Sequence, residues 1–61
     1  MNYNNLPSDP VMLLSLINTK LRDFYPDLDV LCDDMNIDKT GLTSKLAGAG
    51  FTYDKKLNRF V

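Results

Sequence analysis

Few side chains in this sequence have the types or spacing that chemistry needs. Asp34, Asn36 and Asp38 stand at alternate positions, as the first oxygen ligands of an EF-hand calcium loop do. The sixth position of such a loop requires a turn glycine and is Lys39. The twelfth requires a bidentate Glu and is Lys45. Half a ligand set beside two lysines would hold a cation weakly, so Asp33, Asp34 and Asp38 read as cap and surface residues. Cys32 is the one cysteine. It falls on an apolar helical face, where a thiol behaves as a small core side chain. There is no histidine, and every acid is Asp. Neither a Ser-His-Asp nor a Cys-His arrangement can be assembled, and a zinc site lacks its ligands. Gly41, Gly48 and Gly50 fit neither a phosphate loop nor a dinucleotide fingerprint. The expectation is a non-enzyme with no catalytic, metal-binding or cofactor-binding residue and no cofactor.

The charges are unevenly divided along the chain. Up to position 38 the acids Asp9, Asp23, Asp27, Asp29, Asp33, Asp34 and Asp38 oppose only Lys20 and Arg22. From position 39 the bases Lys39, Lys45, Lys55, Lys56 and Arg59 oppose only Asp54. Such a split marks either a two-sided interaction surface or two solvated halves that attract one another.

The elements that must position these groups are legible from periodicity and caps. Asp9 followed by Pro10 is an N-cap and a first-turn proline. A helix is expected over residues 10–24, with a broad apolar face of Val11, Leu13, Leu14, Leu16, Ile17, Leu21 and Phe24. Asn18 lies beside that face and predicts a partly buried amide bonded to loop backbone. Lys20, Arg22 and Asp23 read as solvated. Asp27 caps a second helix carrying Leu28, Leu31, Cys32 and Met35, and Asn36 closes it in a left-handed conformation. Asp38 caps a third, with Ile37 and Leu42 placed as a hydrophobic staple. Leu42, Leu46 and Ala49 form its expected buried stripe, and Gly48 and Gly50 its stop. Phe51, Tyr53, Phe60 and Val61 then flank a polar run from Asp54 to Asn58, which predicts a short hairpin.

The central pair of helices resembles a helix-turn-helix. It departs from that motif in having Asn36 where Gly is commoner. Gly41 within the second helix of the pair also costs about 1 kcal/mol relative to Ala. The expected fold is mainly α with a small β element: a three-helix, helix-turn-helix-like core followed by a C-terminal β-hairpin, a minimal winged-helix-like layout. Residues 1–61 form one domain, with an extended arm over 1–8, helices over 9–50 and the hairpin over 51–61. Tyr3 and Leu6 are placed to pack the arm on the body. A chain of 61 residues buries roughly 60 % of its unfolded surface, so every apolar face has to be used. No intramolecular disulfide is possible, which suggests a reducing compartment. No signal peptide is expected, and the apolar run over 11–17 is far shorter than the ~20 residues of a membrane span. The expected location is the cytoplasm.

The run from Leu6-Pro7 through Asp9-Pro10, Met12-Leu13-Leu14-Ser15 and Ile17-Asn18 to Lys20-Leu21-Arg22-Asp23 resembles the opening of a small bacterial family. Leu31-Cys32, the closing Gly50-Phe51-x-Tyr53-Asp54 and Asn58-x-Phe60 resemble it too. That family is catalogued as domain of unknown function forty-two-fifty. The resemblance covers nearly the whole chain. It implies a stand-alone bacterial protein of the cytoplasm, and it brings no activity, cofactor or site residues.

Two binding readings follow. The preferred one is protein–protein binding or self-association through Gly41, Ser44 and Gly48. These residues share a smooth strip of the third helix that another helix can approach closely. The chain's own arm over residues 1–7 is the competing occupant of that strip. The alternative is nucleic-acid binding through Lys39, Lys45, Lys55, Lys56 and Arg59, a recognition helix plus wing. Against it, the outward strip of Thr40, Ser44, Ala47 and Gly48 holds none of the Arg, Lys, Asn or Gln that read base edges. The acidic stretch beside it would also repel phosphate.

Overall fold

The computed structural model of the protein describes residues 6–61. Tyr3 and most of the expected arm lie outside them. The chain runs through α1 (Pro10–Asp23), α2 (Leu28–Asp34), α3 (Lys39–Gly48), β1 (Tyr53–Asp54) and β2 (Arg59–Phe60). It is a mainly α globule of three helices followed by a two-stranded antiparallel sheet.

Each helix starts where an aspartate can accept from its first turn. Asp9 accepts from the N–H of Val11 at 3.1 Å, Asp27 from Val30 at 2.8 Å and Asp38 from Gly41 at 3.1 Å. These bonds satisfy donors that have no intrahelical partner. The ends of α2 and α3 are built alike. Asn36 takes φ 58° after α2, and the N–H of Ile37 donates to Cys32 O at 2.8 Å. Gly50 takes φ 92° after α3, and the N–H of Phe51 donates to Leu46 O at 2.9 Å. Both are Schellman stops, in which a left-handed residue turns the chain so that the next amide reaches back into the helix. Ile37 and Phe51, the residues just past each stop, are half-buried against the core.

The core is Leu13, Ile17 and Leu21 of α1 with Leu28, Leu31, Cys32 and Met35 of α2, Leu42 and Leu46 of α3, and Phe60 of β2. Helix α1 packs against both other helices and against β2. Its buried face is narrower than expected. Leu14 and Leu16 are half-buried, while Val11 is 62 % and Phe24 67 % exposed. Two short helices and a hairpin cover one row of α1, and Leu13, Ile17 and Leu21 at four-residue spacing fill that row. Phe24 sits past the last helical residue at φ −129°, which takes it off the row, and the Lys20 ammonium lies 5.0 Å from its ring centre.

Two expectations for α3 are corrected. Ala49 is exposed because it is the C-cap residue at φ −96°, off the helical spiral that carries Leu42 and Leu46. Gly48 is the last helical residue and does not stop the helix; Gly50 does. A Cβ at Gly48 would meet nothing within 4 Å. Gly48→Ala is therefore expected to stabilise the protein by up to about 1 kcal/mol, since it removes the backbone freedom of glycine from a helix. A urea midpoint that fails to rise would show that α3 frays before Gly48.

Tyr53 pairs with Phe60 and Asp54 with Arg59. Their rings, Tyr53 against Phe60, lie 5.5 Å apart and tilted. The four-residue loop between the strands is fixed at both ends. Asp54 Oδ1 accepts from the N–H groups of Lys56 and Leu57 at 2.9 and 3.1 Å, and Asn58 turns the chain back at φ 53°. Two strands alone are marginal in water, so what anchors the hairpin decides whether it forms.

Candidate functional site

Two asparagines seat the hairpin on α1. Thr52 and Val61 exchange both backbone hydrogen bonds, so the next pair, Tyr53 and Phe60, is the one whose amides point away from each other. The outward groups of Phe60 meet Asn18. Phe60 N–H donates to Asn18 Oδ1 at 2.8 Å, and Asn18 Nδ2 donates to Phe60 O at 3.1 Å. The amide expected to bond a loop thus bonds a strand. At the far end of the hairpin, Asn58 Nδ2 donates to Leu21 O at 3.2 Å and Tyr25 O at 3.0 Å. Leu21 O belongs to the last turn of α1, where carbonyls lack intrahelical donors. Tyr53 Oη donates to Asn58 Oδ1 at 2.6 Å, which completes the clasp. Asn18, Tyr53, Asn58 and Phe60 all belong to the motifs that carry the family resemblance, and here their work is to join the hairpin to the helix.

This seating leaves an open groove of ≈ 660 Å³ between α1 and the hairpin loop. Val11 and Leu14 line its helix side, with Thr19 and Arg22 further along, and Leu57 and Arg59 line its hairpin side. Leu57 is 58 % exposed. Its outward position follows from the loop: Asp54 holds its N–H, and Asn58 next to it is tied to α1. Arg22 is already paired. Its Nε and Nη2 donate to Asp23 at 2.8 and 3.0 Å. That hydrogen bonding raises Arg22 above its ordinary pKa and holds the Asp23 carboxyl below the usual range. Arg59 makes no ion pair among the described residues and is exposed.

The strip predicted from sequence, Gly41, Ser44 and Gly48, is exposed on α3. Gly41 lines a small depression of ≈ 220 Å³ shared with Leu6, Ile37 and Lys45. Leu6, the first described residue of the arm, is half-buried against the core there. A Cβ on Gly41 would lie 3.1 Å from the Asp38 carboxylate. The five basic candidates divide between two elements. Lys39 and Lys45 are on α3, and Lys55, Lys56 and Arg59 are on the hairpin. Lys39 is engaged: its Nζ is 2.6 Å from Asp29, whose hydrogen bond raises the lysine above its ordinary pKa.

The groups that mimic a calcium loop have other partners. Asp34 accepts from the Tyr25 hydroxyl, Asn36 makes the left-handed turn and Asp38 caps α3. Among the described residues no cluster of three or more Cys or Asp side chains could hold a metal ion. Cys32 is buried, and burial pushes its thiol up. No helix among the described residues is long and apolar enough to cross a membrane.

Sequence reasoning missed the groove. The available signal was Leu57, the one apolar residue in the polar run between the strands. No curated protein and no solved structure matches the chain. Residues 7–60 match the model of the family described as Domain of unknown function (DUF4250), and the chain belongs to that family.

Proposed function

We propose that the chain is a non-catalytic binding module of the cytoplasm that docks another protein along the groove between α1 and the hairpin. The carrying observation is that two large aliphatic side chains, Val11 and Leu57, face one concave surface while largely exposed. Apolar groups held out of the core on a concave surface are what a protein partner buries. The described lining holds no group that titrates near neutral pH. Its only ionisable side chains are Arg22 and Arg59, which stay cationic and cannot exchange protons at neutral pH. A free buried cysteine in a small domain accords with a reducing compartment.

Nucleic acid is the second reading, favoured by Lys55, Lys56 and Arg59, all exposed on one hairpin. It has less support. Lys39 is neutralised by Asp29, and Asp29, Asp33 and Asp34 are exposed on the neighbouring α2. A photo-reactive side chain at position 57 or 11, introduced in the native cell, is expected to cross-link to protein, and one at position 44 is not. Adducts from position 44 alone would move the interface to the Gly41–Ser44–Gly48 strip. Adducts with nucleic acid would support the second reading, and no adduct from 57 or 11 would end the first.

A further inference from the structure

Resting on the module reading, we propose that the groove takes an acidic, amphipathic segment of the partner protein. An apolar side chain would lie between Val11 and Leu57, with a carboxylate on Arg59. The charge around the groove carries this. On the hairpin, Lys55, Lys56 and Arg59 outnumber Asp54, which lies across the strands from Arg59 without an ion pair to it and gives Oδ1 to two backbone N–H groups of the loop. Across the groove Arg22 is neutralised by Asp23. Among the described residues no carboxylate lines the groove. Its cation without an ion pair among the described residues is therefore the Arg59 guanidinium, a planar fork that binds a carboxylate through two parallel hydrogen bonds. The apolar wall discriminates against a purely phosphate ligand, because Val11, Leu14 and Leu57 offer a nucleic-acid backbone nothing. The hairpin side is also preformed. Asp54 and Asn58 fix the loop before any partner arrives, so little ordering is left for binding to impose.

The test uses the full chain as bait for a displayed library of random short peptides. Enriched peptides are expected to combine Asp or Glu with Leu, Ile or Phe. Their synthetic copies are expected to lose about tenfold or more in affinity to Leu57→Asp and to Arg59→Glu. Lys45→Glu on α3 is the control and is expected to leave affinity unchanged. Leu57, Arg59 and Lys45 are all exposed, so the variants keep the core, and circular dichroism checks that they do. Peptides that need Leu57 but carry no acids would overturn the acidic-segment inference while leaving the module reading intact. No enrichment, or binding indifferent to both groove variants, would overturn the two together. Displacement of the peptides by duplex DNA at physiological salt would show phosphate as the occupant. A concentration-dependent oligomer in sedimentation, abolished by Arg59→Glu, would show a second copy there. Either result overturns the inference.

Discussion

Leu46→Ala is expected to release α3 and to cost about half of the chain's stability at 25 °C. Leu46 is fully buried, and with Leu42 it makes up the whole buried face of α3. Removing a buried leucine side chain costs about 2–5 kcal/mol, more where the surroundings cannot collapse into the space. A chain of 61 residues has about 3–9 kcal/mol of total stability. Two anchors cannot lose one without releasing the helix. The stop after α3 depends on the helix as well: Phe51 donates to the backbone carbonyl of residue 46, which alanine keeps, so the bond is lost only where the helix unwinds. Ile17→Val is the matched control, expected to cost about 0.5–1.5 kcal/mol and stay folded. Urea melts followed by circular dichroism compare the two. A Leu46→Ala protein within about 1 kcal/mol of wild type would mean that α3 is not held by that side chain.

Asn58→Ala is expected to cost about 3 kcal/mol, the largest effect of any residue outside the core. Three losses combine. Leu21 O and Tyr25 O lose their donor, and Tyr53 Oη loses its acceptor. These bonds are partly buried, and each contributes about 0.5–1.5 kcal/mol net. Alanine must also hold the left-handed conformation at φ 53°, at a cost of about 1–2 kcal/mol. The two causes can be separated. Asn58→Gly removes the amide but not the conformational freedom, so it is expected to recover about 1 kcal/mol relative to alanine. Asn58→Asp keeps an acceptor for Tyr53 but turns a carboxylate toward two carbonyl oxygens, so it is expected to be no better than alanine. Equal stabilities for the alanine and glycine variants would show that backbone strain contributes nothing.

The caps at Asp9, Asp27 and Asp38 and the stops at Asn36 and Gly50 could be read from the sequence, because capping is chemistry within a few residues of chain. The stripes on α2 and of Leu42 and Leu46 on α3 followed from spacing for the same reason. Asn58 could not be read this way. Its partners are Leu21 and Tyr25, the former 37 residues away in the chain, and only the approach of the hairpin to the end of α1 brings them together. The exposure of Val11 and Phe24 was hidden as well. Periodicity says which residues share a face, and it does not say how much of that face three other small elements can cover. The groove inherits both difficulties, since it exists only because the hairpin sits where the two asparagines hold it. The Gly41–Ser44–Gly48 strip was visible because it lies on one helix, and Gly41 is the end of it that meets a depression.

The seat of Asn18 on Phe60 has a consequence for the life of this protein in a crowded cell. A sheet of two strands exposes two unpaired flanks, and each is a template on which another chain's strand can nucleate a fibril. The Asn18 amide offers β2 the acceptor and the donor that an incoming strand would offer. One helix side chain thereby stands in for a third strand, and growth by strand addition finds that flank already occupied.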